Sequence, residues 1–200
     1  MNKICVVGIG TGNPDYILPV ALKKISEADV LIGGSRSLET FSKPTQKTFR
    51  ITKDLDSVID FIKSEIDRHE IVVMVSGDPG FYSLLDILRK HFSNIETIPG
   101  ISSIQFAFSR LNLPWHSASL LSFHGRIPNE IPNNLLGILT DADYNSKTIS
   151  KILLDRGWKS ETRIAICSRL SYSDEQIIET NLKIAAESEP VKHCVLIVGY

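Results

Sequence analysis

The sequence predicts a parallel α/β half followed by a mixed α+β half, and three observations carry this. Residues 71–75 are an unbroken apolar run, Ile-Val-Val-Met-Val, rich in β-branched side chains, as in a strand buried on both faces of a parallel sheet. From Phe81 the period changes, and Phe81, Leu84, Leu85, Leu88 and Phe92 recur at helical spacing. This alternation of short strand and amphipathic helix persists through residues 1–112, whereas residues 113–200 are leaner in helix.

The elements follow in order. Ile4–Val7 is the first strand, and a helix with Ile17, Leu18, Ala21, Leu22 and Ile25 on its apolar face comes after a Gly-rich loop. Val30–Ile32 is a second strand, and Lys47–Ile51 suits an edge strand. Asp54 is placed to cap a helix whose Leu55, Val58, Ile59, Ile62 and Ile66 fall in register. After the central strand and the helix expected from Phe81, Ile95–Ile98 forms another strand. Pro99-Gly100-Ile101-Ser102-Ser103 then turns into a helix bearing Ile104, Ala107, Phe108 and Leu111. Leu113-Pro114-Trp115-His116 interrupts the alternation, so the domain boundary is expected there: 1–112, then 113–200. The second half offers strands at Ser119–Phe123, Leu135–Leu139, Arg163–Cys167, Gln176–Thr180 and Cys194–Val198, with one helix over Asn145–Asp155.

Composition excludes several classes. Twenty-two Lys and Arg against 23 Asp and Glu, with no basic stripe, argue against a nucleic-acid surface. No apolar run approaches the roughly 20 residues of a membrane span, and the N-terminus is a short strand in place of a signal peptide. Cys5, Cys167 and Cys194 sit singly in apolar runs, as expected of reduced thiols in a cytoplasmic protein. The five His are scattered, so no metal site is expected.

The motifs gather where strands end. Ser76-Gly77-Asp78-Pro79-Gly80 joins the central strand to the helix expected from Phe81. Its glycines allow close approach of another molecule to the backbone, as ligand loops beyond strand ends require, although an ordinary turn with Asp78 as a helix cap suits the string equally. Gly8-Ile9-Gly10-Thr11-Gly12 invites a dinucleotide reading. The spacing is Gly-x-Gly-x-Gly, however, and Gly33-Gly34 stands where an acid for the ribose belongs, so an NAD-dependent oxidoreductase is the lesser alternative. No Gly-Lys-Ser/Thr follows to make a phosphate loop.

Taken together, Val7-Gly8-Ile9-Gly10-Thr11-Gly12-Asn13-Pro14, Gly33-Gly34-Ser35-Arg36, Ser76-Gly77-Asp78-Pro79-Gly80, Pro99-Gly100-Ile101-Ser102-Ser103 and Thr140-Asp141 resemble the tetrapyrrole (corrin/porphyrin) methyltransferases over nearly the whole chain. The short length, Gly33-Gly34-Ser35-Arg36 and Ser122-Phe123-His124-Gly125-Arg126 resemble the branch that methylates C-5 of precorrin-7 or its cobalt form in cobalamin biosynthesis. Another precorrin C-methyltransferase is the nearest alternative, and a non-catalytic nucleotide-binding module a more distant one. The resemblance implies two α/β domains with S-adenosylmethionine in the cleft between them. It implies cofactor contacts at Thr11, Ser76, Gly77, Asp78, Phe81, Ser102, Ser103, Thr140 and Leu170. Many relatives carry Pro where Thr11 stands, so a hydroxyl replaces a rigid ring there. It further implies a homodimer, to which the sequence adds Phe106 off the apolar stripe of its helix and Trp115 in the boundary loop, and a separate decarboxylating C-15 methyltransferase as functional partner. A precorrin carries many carboxylate arms, for which the planar cations of Arg36 and Arg126 are suited, with His124 beside them as a substrate contact or proton relay. No residue is assigned as catalytic.

Overall fold

The first sheet is built around β1 (Ile4–Gly8) and β4 (Ile71–Val75), whose residues are all buried. With β2 (Val30–Gly33), β3 (Lys47–Arg50) and β5 (Ile95–Ile98) they form a five-stranded sheet in the order β3-β2-β4-β1-β5. Every pairing in it is parallel. The period-two alternation of a strand divides its apolar residues between two faces. Ile4, Val6, Ile71 and Val73 pack with Val58, Ile59 and Ile62 of α3 (Leu55–Glu65) and Leu88 of α4 (Leu85–His91). Cys5, Val7, Val72 and Met74 pack on the other side with Ala21 and Ile25 of α1 (Pro19–Glu27). The edge position expected for β3 is observed, and Asp54 caps α3 by accepting from the Ser57 amide at 3.2 Å.

This computed structural model describes residues 4–200, in two compact units, the first ending at Ser102 and the second spanning Ser103–Tyr200. The second unit contains a mixed sheet in the order β6-β7-β10-β8-β9. Its strands are β6 (Ser119–Ser122), β7 (Leu136–Leu139), β8 (Arg163–Ser168), β9 (Gln176–Asn181) and β10 (Val195–Val198). Only β6 and β7 run parallel; the other neighbours are antiparallel. Its core joins Phe123, Leu136 and Ile138 to Ile149 and Leu153 of α6 (Ser146–Asp155).

Four local expectations change. The helix expected from Phe81 begins only at Leu85, because Tyr82 takes φ +47°, a conformation no α-helix accommodates. Ser83 marks the start instead: its Oγ accepts from the Leu85 amide at 3.2 Å and donates to the Pro79 carbonyl. Two helices escaped the sequence pattern, α2 (Ser35–Phe41) and α7 (Leu182–Glu187), each too short to display an apolar period. Asn181 caps α7, accepting from the Ile184 amide at 2.9 Å. Helix α5 (Ser103–Arg110) belongs to the second unit, against β7 and β10, although the sequence suggested a boundary at 112/113. Phe106 is correspondingly buried at 6% exposure beneath the Arg110 guanidinium, not exposed as its place off the apolar stripe suggested, while Trp115 is exposed.

Candidate functional site

Strand order places the Gly-rich loops. From β1 the chain crosses β4 to reach β2, whereas from β4 it passes beyond β1 to reach β5. The loops after neighbouring β1 and β4 therefore leave in opposite directions, and ligands of open α/β sheets bind outside strand ends at such a switch point. Thr11 lies in one of these loops and Ser76, Gly77 and Asp78 in the other.

The two loops are joined by main-chain pairing. The Gly77 amide donates to the Gly10 carbonyl at 2.7 Å and the Gly10 amide to the Gly77 carbonyl at 3.2 Å. Pro99-Gly100 closes in from β5. Here Gly8 and Gly100 approach so nearly that a Cβ on Gly8 would stand 2.6 Å from the Gly100 nitrogen and 2.7 Å from the Gly77 oxygen. Asp78 does not cap a helix. Its Oδ1 accepts from the Gly80 amide at 2.7 Å and its Oδ2 from the Gly100 amide at 3.1 Å, so one half-buried carboxylate ties the two turns together. A carboxylate with two bonds made keeps further capacity to accept. Phe81 follows this loop half-buried, its ring edge-on to exposed Tyr82 at 4.8 Å. Ser102 is buried and ends the first unit, and half-buried Ser103 opens α5 in the second. Arg36, exposed in the first turn of α2, lies beyond the carboxyl end of β2.

In the second unit the register brings the ends of β6, β7 and β8 to one edge, since Ser122 pairs with Leu139, and both Leu139 and Cys167 pair with Val195. Thr140, Leu170 and the His124-Gly125-Arg126 turn all follow these ends. The buried Thr140 hydroxyl is committed to structure: it donates to the Cys194 carbonyl and accepts from the Cys194 amide, both at 2.8 Å. What it can offer a cofactor is main chain. Buried Leu170 stands between Arg169 at φ +54° and Ser171 at φ +70°. Glu175 holds this conformation, accepting from the Ser171 amide at 2.6 Å while pairing with Arg110 at 2.9 Å. Arg169 pairs with Asp174 at 2.8 Å. Side chains of His124 and Arg126 are exposed, and neither makes a hydrogen bond or ion pair with the described residues.

The buried thiols of Cys167 and Cys194 are protonated at neutral pH and so poor nucleophiles. Burial, ahead of other causes, pushes Cys167 up to about 12 and Cys194 up to about 11. Among the described residues, no group of three His, Cys, Asp or Glu side chains could hold a metal ion, and no helix is long and apolar enough to cross a membrane. The sequence reading missed the roles of Gly8, Glu175 and Asp141. Gly8 and Asp141 stood inside quoted motifs, but their partners are far away in sequence.

Parallel strands with glycine turns meeting at a switch point, followed by a mixed sheet, suit one family. Residues 3–186 match the tetrapyrrole (corrin/porphyrin) methylases, and the chain belongs to that family. It is 32% identical over 197 residues to the probable cobalt-precorrin-7 C(5)-methyltransferase of Methanocaldococcus jannaschii, a match covering 93% of this chain and 92% of that protein. The cobalt-precorrin-7 C(5)-methyltransferase of Salmonella typhimurium is 31% identical over 179 residues, covering 87% and 88%. In fold, the chain resembles the uroporphyrin-III C-methyltransferase of Thermus thermophilus complexed with S-adenosylhomocysteine, with a TM-score of 0.78 at 20% identity over 99% of this chain and 92% of that one.

Proposed function

We propose that the chain is an S-adenosylmethionine-dependent methyltransferase acting on the C-5 meso carbon of precorrin-7 or its cobalt form, a step of cobalamin biosynthesis. The observation that carries this reading is the 32% identity to the M. jannaschii enzyme, sustained over nine-tenths of both chains.

The residues at the switch point suit the cofactor. Half-buried Asp78 can accept from ribose or ammonium donors, the hydroxyls of Thr11 and exposed Ser76 are polar partners, and Phe81 supplies an apolar wall. Bound there, S-adenosylmethionine would supply a methyl group on a sulfonium, which the electron-rich meso carbon can attack without a protein nucleophile, the S–CH3 bond breaking to release the thioether of S-adenosylhomocysteine. The chain's task is then alignment. Orientation of two reactants can contribute up to roughly 7–11 kcal/mol. The interlocked Gly8, Gly77 and Gly100 turns suit that task, because the bond from the Gly100 amide to the Asp78 carboxylate and the main-chain pairing of Gly10 with Gly77 fix them before any ligand arrives.

Arg126 would meet a carboxylate arm of the macrocycle. Its guanidinium is exposed and unpaired among the described residues, and its planar fork can engage a carboxylate by two hydrogen bonds. Arg126→Ala should raise KM for the tetrapyrrole by about tenfold to a hundredfold, the scale of a charge-assisted hydrogen bond. S-adenosylhomocysteine affinity should barely move. Steady-state kinetics would decide, and an unchanged KM would return Arg126 to the solvated surface.

Two measurements test the function itself. Calorimetric titration should show binding of S-adenosylhomocysteine and none of NADH; the reverse pattern would end this reading. Incubation with cobalt-precorrin-7 and S-adenosylmethionine should add one methyl group, which NMR should locate on C-5. Methylation at another carbon would move the chain to another branch of the family.

A further inference from the structure

Beyond β6 the chain is shaped by a single distant carboxylate. Fully buried Phe123 anchors the turn, and the Arg126 amide returns to the Phe123 carbonyl at 3.4 Å. At its tip, the Gly125 amide donates to Asp141 Oδ2 at 2.7 Å. Asp141 is itself held firmly beyond the end of β7. Its Oδ1 accepts from the amides of Asp143 at 2.8 Å and Tyr144 at 2.7 Å. Its own amide donates to the Tyr144 carbonyl at 3.2 Å, and its carbonyl accepts from the His193 amide at 3.3 Å. The carboxylate thus grips the main chain of the turn through one oxygen and its own turn through the other.

The consequence for the side chains is specific. A surface Asp this near a basic turn would ordinarily attract the nearest cation. Here its oxygens are taken by amides, and the side chains of His124 and Arg126, on either side of the latched glycine, are left without a hydrogen bond or ion pair to the described residues. A loop whose backbone is pinned while its flanking polar side chains stay unpartnered is pre-organised for a ligand. Burial acts to raise the Asp141 carboxyl, but the amides of Gly125, Tyr144 and Asp143, with His124 nearby, outweigh it and hold the group below the usual carboxylate range. It therefore remains an ionised acceptor at neutral pH, where amides bind it best.

We infer that Asp141 is a positioning residue for the tetrapyrrole, latching the His124-Gly125-Arg126 turn so that its side chains meet the substrate's carboxylate arms. The inference rests on the proposed function and adds to it a residue that touches no substrate itself.

Asp141→Asn separates the latch from the rest of the turn. The amide side chain can keep its oxygen toward Asp143 and Tyr144 while placing an NH2 against the Gly125 amide, so only the distant bond becomes a repulsion. The Gly125 amide proton should move upfield in the 1H–15N spectrum, and KM for cobalt-precorrin-7 should rise about tenfold, as expected when a charge-assisted bond is lost. The kcat and the S-adenosylhomocysteine affinity should change by less than about twofold, because the alteration is confined to substrate binding. An unmoved Gly125 resonance would overturn the latch. A moved resonance with unchanged KM would overturn its role, as would equal losses of cofactor and substrate affinity. A wild-type protein that fails to methylate cobalt-precorrin-7 would remove the proposed function and the role of Asp141 together. That result is distinct from an active wild type matched by an equally active variant, which removes Asp141 alone.

Discussion

Gly77→Leu is expected to lose measurable binding of S-adenosylhomocysteine and to lower stability as well. Gly77 holds φ +69° at the switch point, where its amide and carbonyl both pair with Gly10. A leucine forced into that backbone conformation costs on the order of 1–3 kcal/mol. If the loop relaxed instead, the pairing with Gly10 would break and the turns from β1 and β4 would separate. Either outcome removes the surface that the proposed cofactor needs, and the leucine side chain adds bulk to it. The positive φ and the paired amide make Gly77 part of the scaffold as well as of the loop, so the fold is weakened too. Gly77→Ala, which carries the strain with little bulk, separates the two contributions. Calorimetry well below the unfolding temperature is the measurement, and unchanged affinity in Gly77→Leu would place the cofactor elsewhere.

Gly100→Ala should be the most destabilising single methyl in the first unit, by about 3 kcal/mol. The added Cβ would stand 2.7 Å from the Gly8 carbonyl carbon, 2.8 Å from the Gly8 oxygen, and closer still to the Gly77 oxygen. All three are backbone atoms at the ends of buried strands, so no flexible side chain can swing aside. Gly34→Ala is the matched control: its Cβ would meet only the Ser37 hydroxyl at 3.8 Å, and it should shift stability by no more than about 0.5 kcal/mol. Urea midpoints of the two variants decide the matter. If Gly100→Ala costs no more than Gly34→Ala, the three loops are not interlocked as described.

How much was legible beforehand depends on how local each signal is. The unbroken apolar run at 71–75 and the helical spacing at 55–66 determined β4 and α3, because burial on two faces and amphipathic packing each leave their own period in a chain. The glycine motifs and Thr140-Asp141 were likewise enough to point to the tetrapyrrole methylase family, since they follow one another in order along the chain. A period needs several turns to register, which is why α2 and α7 went unseen. Phe106 was misjudged because α5 is buried on more than its apolar stripe, and the packing of the second unit alone decides how many sides of a helix are covered. Asp78 offered two roles from sequence, helix cap and cofactor contact. Its choice to bridge Gly80 and Gly100 depended on β5 lying beside β1, a contact 22 residues away. The same holds for Asp141 and Gly125, joined across 16 residues, and for Thr140 and Cys194, joined across 54. Side-chain chemistry states what a residue is able to bond; only strand order and register determine which partner comes within about 3 Å of it.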